Sequence, residues 1–145
     1  MFELGNDGPS LIMAAIDGSE TSLRAAAYAT GLARRQGAGL AFVFVHSMGS
    51  FAQAVPGAIA AMESANRTTA DQLRDTMKQN MARIGVEAIF LERQGNPLTE
   101  ICALADELRA DAVIVGASTQ AGHRIVGSLA LALVRAARWP VTVVP

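Results

Sequence analysis

The chain has 145 residues, 51% of them hydrophobic and 17% charged, which suffices for one self-contained core and is too little for two. A formal net charge of -1 offers no sequence-independent attraction to nucleic acid or to an anionic membrane surface, so neither is expected as a partner. The single cysteine, Cys102, can close no internal disulfide and cannot build a thiolate zinc site, and no stretch has the charge pattern of a signal segment or the length of a bilayer span. These features predict a cytoplasmic, soluble protein with a short tail over residues 1–9 and one domain over residues 10–145.

The run Leu11 to Ile16 is apolar on both faces and stops at Asp17-Gly18-Ser19, which predicts a buried strand feeding a helix capped by Ser19. Ala25, Ala29, Leu32 and Ala33 recur at helical spacing until Gly37. Leu40 to Val45 reads as a second buried strand, and the segment from Gly49 to Ala58 as a loop. A long helix is predicted from about Ala60 to Ile84, with Ala70, Leu73, Met77, Met81 and Ile84 on one face and Gly85 as its stop. Val86 to Leu91 reads as a third strand, ended by Glu92, Arg93 and Gln94. Asn96 is placed to cap, and Pro97 to open, a helix whose apolar stripe is Leu98, Ile101, Cys102, Ala105 and Leu108. Ala112 to Val115 is a fourth strand, Gly116 to Gly127 a glycine-bearing loop, Ser128 to about Ala137 a helix, and Val141 to Val144 a last strand after Trp139-Pro140. Strands apolar on both faces alternating with helices define an α/β fold, an open parallel sheet covered on both sides.

In such a sheet ligands sit outside the carboxyl ends of the strands, where the strand order reverses, so the loops after strands carry the information. Two loops stand out: Asp17-Gly18-Ser19, and Gly116 to Ser128, which holds His123 and Arg124 and ends on Gly127-Ser128 at a helix start. Glycines allow close backbone approach, and helix N-terminal amides hold phosphate oxygens. Neither a Walker A loop nor a dinucleotide fingerprint is present.

With these pieces in order, the chain from Leu11 to Val144 resembles the universal stress protein family. The resemblance rests on the strand into Asp17-Gly18-Ser19, on Gly95-Asn96-Pro97 leading to Ala105 through Asp111, on Val113-Ile114-Val115-Gly116, and on Gly127-Ser128-Leu129-Ala130 and Pro140 to Val144. It implies a Rossmann-like, five-stranded parallel sheet in the order 3-2-1-4-5. It also implies a homodimer pairing through Val141, Thr142, Val143 and Val144, and a site for ATP, with Mg2+ as its accompanying ion. Asp17 and the backbone at Val45 would then face adenine, Gly116 the ribose, and Thr119, Gly127 and Ser128 the phosphates, with His123 and Arg124 as further phosphate donors. The family's ATP-binding loop has an inner glycine where this chain has Thr119, and the spacer that follows is two residues shorter here.

Each of these residues also has a plain structural reading. Asp17 can simply satisfy turn amides, His46 pack or face solvent, and His123-Arg124 form an exposed loop. Cys102 reads as a buried inert thiol, Met77 and Met81 as core or interface filler, and Trp139 as packing at the helix end or dimer edge. No Ser-His-Asp order, carboxylate pair or metal-ligand spacing is present, so no catalytic residue or metal ligand is expected. The expected function is therefore a stress-response module that senses an adenine nucleotide and acts through an unidentified protein partner. The alternatives are a nucleotide-independent dimeric interaction protein and, more remotely, an adenylate-forming or nucleotidyl-transferring enzyme.

Overall fold

The computed structural model describes residues 8–47, 55–120 and 123–145, with the side chains of residues 119–120 and 123–125 also outside the description. The predicted tail therefore lies mostly, and the loop after Gly49 in large part, outside the described residues.

The elements run β1 (Leu11–Ala15), α1 (Glu20–Gln36), β2 (Gly39–His46), α2 (Ala58–Ile84), β3 (Ala88–Gln94), α3 (Pro97–Glu107), β4 (Ala112–Gly116), β5 (Ser118–Gln120), β6 (His123–Ile125), α4 (Ser128–Ala136) and β7 (Val141–Val144). Five strands form one parallel sheet in the order β3-β2-β1-β4-β7, the predicted 3-2-1-4-5 arrangement. β1 is central because Ile12, Met13 and Ala14 are all fully buried, so either face left open would put apolar surface in water. Its pairing with β4 aligns Ile12 with Ala112 and Ala14 with Ile114.

Alternation along the strands feeds two cores. Ile12, Ala14, Leu40, Phe42 and Phe44 face α1 and α2, where they meet Ala25, Ala29, Ala33, Leu73 and Met77. Met13, Ala41, Val43, Val113 and Val115 face α3 and α4, where they meet Ile101, Leu104, Ala105 and Leu133. Alanines on α1 let that helix sit close over the sheet centre, where any larger side chain would overfill the layer. Ser19 caps α1 through its hydroxyl, Asn96 caps α3 through its side-chain oxygen, and Pro97 occupies the first turn, all as expected.

Three elements differ from the sequence reading. β3 spans Ala88–Gln94 rather than Val86 to Leu91, because Glu92 and Arg93 are held along the sheet edge instead of ending the strand. Glu92 pairs with Arg74 of α2 and with His46 of β2, and Arg93 reaches Glu107 at 3.3 Å. Val86 precedes the strand and packs into the first core. On α3 the buried face is Ile101, Leu104 and Ala105, with Cys102 only partly covered. The segment after β4 contains an antiparallel hairpin, in which Ser118 pairs with Ile125 and Gln120 with His123.

Among the described residues no helix is long and apolar enough to cross a membrane. Trp139 packs against the second core with the Arg138 guanidinium 4.8 Å from its ring centre, which places it at the end of α4.

Candidate functional site

β1 and β4 are neighbours, yet the helices that follow them lie on opposite faces, so their C-terminal loops diverge. A cleft of about 470 Å³ opens there. Asp17 and Ser19 line it from the β1 end, Val45 and Ser47 from the β2 end, Gly116 to Ser118 from the β4 end, and Gly127 to Ala130 from the start of α4. Pro97 and Ile101 of α3 form its apolar floor with Val43 and Val115. Asp17, Val45, Gly116, Gly127 and Ser128, all singled out in the sequence, thus surround one space. Thr119 and Arg124 face each other across the hairpin, with His123 opposite Gln120, and their side chains lie outside the described residues.

Asp17 forms the turn that its plain reading requires: its Oδ1 accepts from the Ser19 amide at 2.9 Å, while its own amide donates to the Ser22 hydroxyl at 3.2 Å. It nonetheless borders the cleft. Burial of the carboxyl pushes its pKa up, but hydrogen bonds from the Ser19 side chain and backbone, and from Ser22, more than offset this and hold it below the usual aspartate value. The ionised form therefore stabilises the fold above about pH 4, the ordinary carboxylate range, and that contribution is lost as pH falls through the lower folded value. Asp17→Asn is expected to flatten the acid limb of stability in denaturant melts between pH 2 and 5. An acid limb of unchanged slope would contradict this.

Thr21 is a site residue that sequence reading missed. It is almost fully buried, and its hydroxyl donates to the Ala117 carbonyl at 2.6 Å, tying the first turn of α1 to the loop after β4. In the sequence Thr21 looks like an ordinary first-turn residue, and its partner lies 96 positions away. Thr21→Val keeps the shape and orphans a buried carbonyl, which is expected to cost about 1–3 kcal/mol by urea denaturation, whereas Thr21→Ser is expected to keep most of that stability. Equal losses in the two variants would mean that the hydrogen bond is not what holds the loop.

The two glycines have packing reasons of their own. A Cβ on Gly116 would lie 2.5 Å from the Thr21 carbonyl carbon and 2.6 Å from the Ser22 amide nitrogen, so α1 starts where a side chain would be. A Cβ on Gly127 would run into the Ser118 hydroxyl and stand 3.0 Å from the Ser118 Cβ. Gly127 also caps α4 with no side-chain hydrogen bond to the first-turn amides, and no acidic residue occupies that turn. Those amides border the cleft, where an anion is their natural partner.

A second, polar cleft of about 550 Å³ lies across β2, between α2 and the ends of β2 and β3. There the His46 ring meets Glu92 at 2.8 Å, and Arg74 bridges Glu92 and Asp71. His46 is thus half-buried and paired, and with Arg74 it pins α2 to the sheet edge. Among the described residues no group of three or more His, Cys, Asp or Glu side chains is placed to hold a metal ion.

An open parallel sheet with a cleft at its strand-order reversal, bordered by a helix N-terminus and a glycine-bearing loop, defines a class of Rossmann-like α/β domains. Within that class the chain belongs to the Universal stress protein family, whose profile matches residues 10–145. Among solved structures it is similar to a universal stress protein family member from Burkholderia pseudomallei. The two are 26% identical over 94% of this chain and 96% of the other, with a TM-score of 0.72. A universal stress protein in complex with cAMP is 24% identical over 96% and 98% of the two chains, with a TM-score of 0.62. A family member from Arabidopsis thaliana with AMP bound is 21% identical over 94% and 91%, with a TM-score of 0.65. No curated protein matches the chain by sequence at a significant level.

Proposed function

We propose that the protein is a small adenine-nucleotide sensor that acts by binding rather than by turnover. The observation that carries this reading is the convergence of Asp17, Val45, Gly116, Gly127 and Ser128 on one cleft at the strand-order reversal. AMP and cAMP in relatives of the same fold support the choice of ligand class. The aromatic base would lie over the apolar floor near Val45 with Asp17 at its edge, and the phosphate end would meet the amides that open α4. Occupancy would draw the β4 loop and α4 together and so alter a surface read by a protein partner.

The same reading includes a homodimer through β7, the sheet edge opposite β3. Val141 and Val143 pack into one core and Val144 into the other, so the element left for a twin is the backbone edge rather than the side chains. The Val113 and Ala117 amides donate to the Pro140 and Val144 carbonyls, so alternation turns the Val143 amide away from β4. Val143→Pro should therefore give monomer in sedimentation while leaving the fold intact, and an unchanged dimer would place the interface elsewhere.

A second reading, a nucleotide-independent interaction protein, draws on the packing that explains both glycines without a phosphate. Calorimetric titration with adenosine and its mono-, di- and triphosphates separates the two. Saturable binding supports the sensor, and no binding of any of them at millimolar concentration supports the second reading. Product formation on incubation with ATP would instead move the protein toward an enzyme.

A further inference from the structure

Resting on the adenine-nucleotide reading, we propose that this chain's cleft is limited to a nucleoside bearing one phosphate and discriminates against the triphosphate. Three observations converge on the limit. Asp17 is the only charged side chain among the described residues that line the cleft, and its hydrogen bonds hold it in the anionic form. Each further phosphate therefore brings negative charge into a cleft that already holds the Asp17 anion.

The second observation is the hairpin. β5 and β6 pair antiparallel, with Ser118 opposite Ile125, Thr119 opposite Arg124 and Gln120 opposite His123. An antiparallel ladder turns successive amides to opposite sides and uses every second residue for pairing, so the segment presents no run of consecutive amides to follow a row of phosphates.

The third is the use of space at the glycines. The volume that a side chain would take at Gly116 belongs to the backbone of Thr21 and Ser22, and at Gly127 it belongs to Ser118. Neither glycine keeps a channel open for a polyphosphate. What remains is the set of amides at the start of α4 with the Ser128 hydroxyl, a donor set matched to the oxygens of a single phosphate.

The test is calorimetric titration of the full chain with AMP, cAMP, adenosine and ATP, each with and without magnesium. At least one of the two monophosphates is expected to bind about tenfold or more tightly than ATP. Magnesium, which neutralises part of the triphosphate charge, should narrow that gap without inverting it. Asp17→Asn is then expected to cut the AMP-to-ATP affinity ratio about threefold or more, whatever it does to the separate affinities, because it removes the anion and keeps the shape. ATP binding as tightly as both monophosphates would overturn the limit and leave the adenine-nucleotide reading standing. Adenosine binding as tightly as AMP would overturn the single-phosphate site. A ratio unmoved in Asp17→Asn would overturn the electrostatic origin, and no binding of any of the four would overturn both this limit and the reading beneath it.

Discussion

Gly116→Ala is expected to lower the thermal midpoint by about 10 °C, the equivalent of roughly 3 kcal/mol in a chain of this size. The reason lies in what surrounds the α-carbon. The added methyl would stand 2.5 Å from the Thr21 carbonyl carbon and 2.6 Å from the Ser22 nitrogen, and both are backbone atoms of the first turn of α1. A side chain can rotate aside, but this turn cannot. It is fixed by the Ser19 cap, by the Thr21 bond to Ala117 and by the packing of Ala25, Ala26 and Ala29 beneath it. Relief therefore requires α1 to lift from β4, which opens both the core and the cleft. Differential scanning calorimetry measures the effect, and a midpoint within about 2 °C of the native protein would show that α1 is free to move.

Gly127→Val is expected to abolish nucleotide binding, and Ser118→Gly in the same chain is expected to recover it in part. The Val side chain would collide first with Ser118, across the neck of the hairpin, so its initial effect is to spread β5 from the start of α4. That displaces the amides on which a phosphate would rest. Removing the Ser118 side chain vacates the colliding position and lets the neck close again. A glycine needed only for phosphate approach would respond differently, because the extra methyls would still block the ligand and Ser118→Gly would give no recovery. The cycle of single and double variants thus reads a coupling between positions 118 and 127 that a purely ligand-facing glycine does not have.

Much of the fold was legible because burial on both faces leaves a plain mark. Leu11 to Ile16, Leu40 to Val45 and Ala112 to Val115 carry no polar alternation, and they became the three central strands. Ser19, Asn96 and Pro97 acted through neighbouring backbone, so local chemistry was enough to place the helix starts. β3 was misjudged because its charges are satisfied by partners elsewhere in the chain: Arg74 on α2 and His46 on β2 allow Glu92 to continue an edge strand. The hairpin was missed because its strands are three residues each and mostly polar, so neither apolar alternation nor length signals them. At the site, the residues following β1 and β4 were recognisable from their place in the α/β pattern. Thr21 was not, since its tie to the loop after β4 exists only through tertiary packing.

The most direct measurement for the cleft is backbone amide NMR of the full chain titrated with AMP. Saturable shift changes are expected at Ala117, Ser118, Ser128 and Leu129, with a second group at Val45 and Ser47, since these residues border the same space. The amides of Arg67, Asp71 and Arg74 across β2, in the polar cleft, should stay in place. Shifts confined to that second cleft, or a spectrum unchanged at millimolar AMP, would contradict the assignment of the cleft between Asp17 and Ser128 as the nucleotide site.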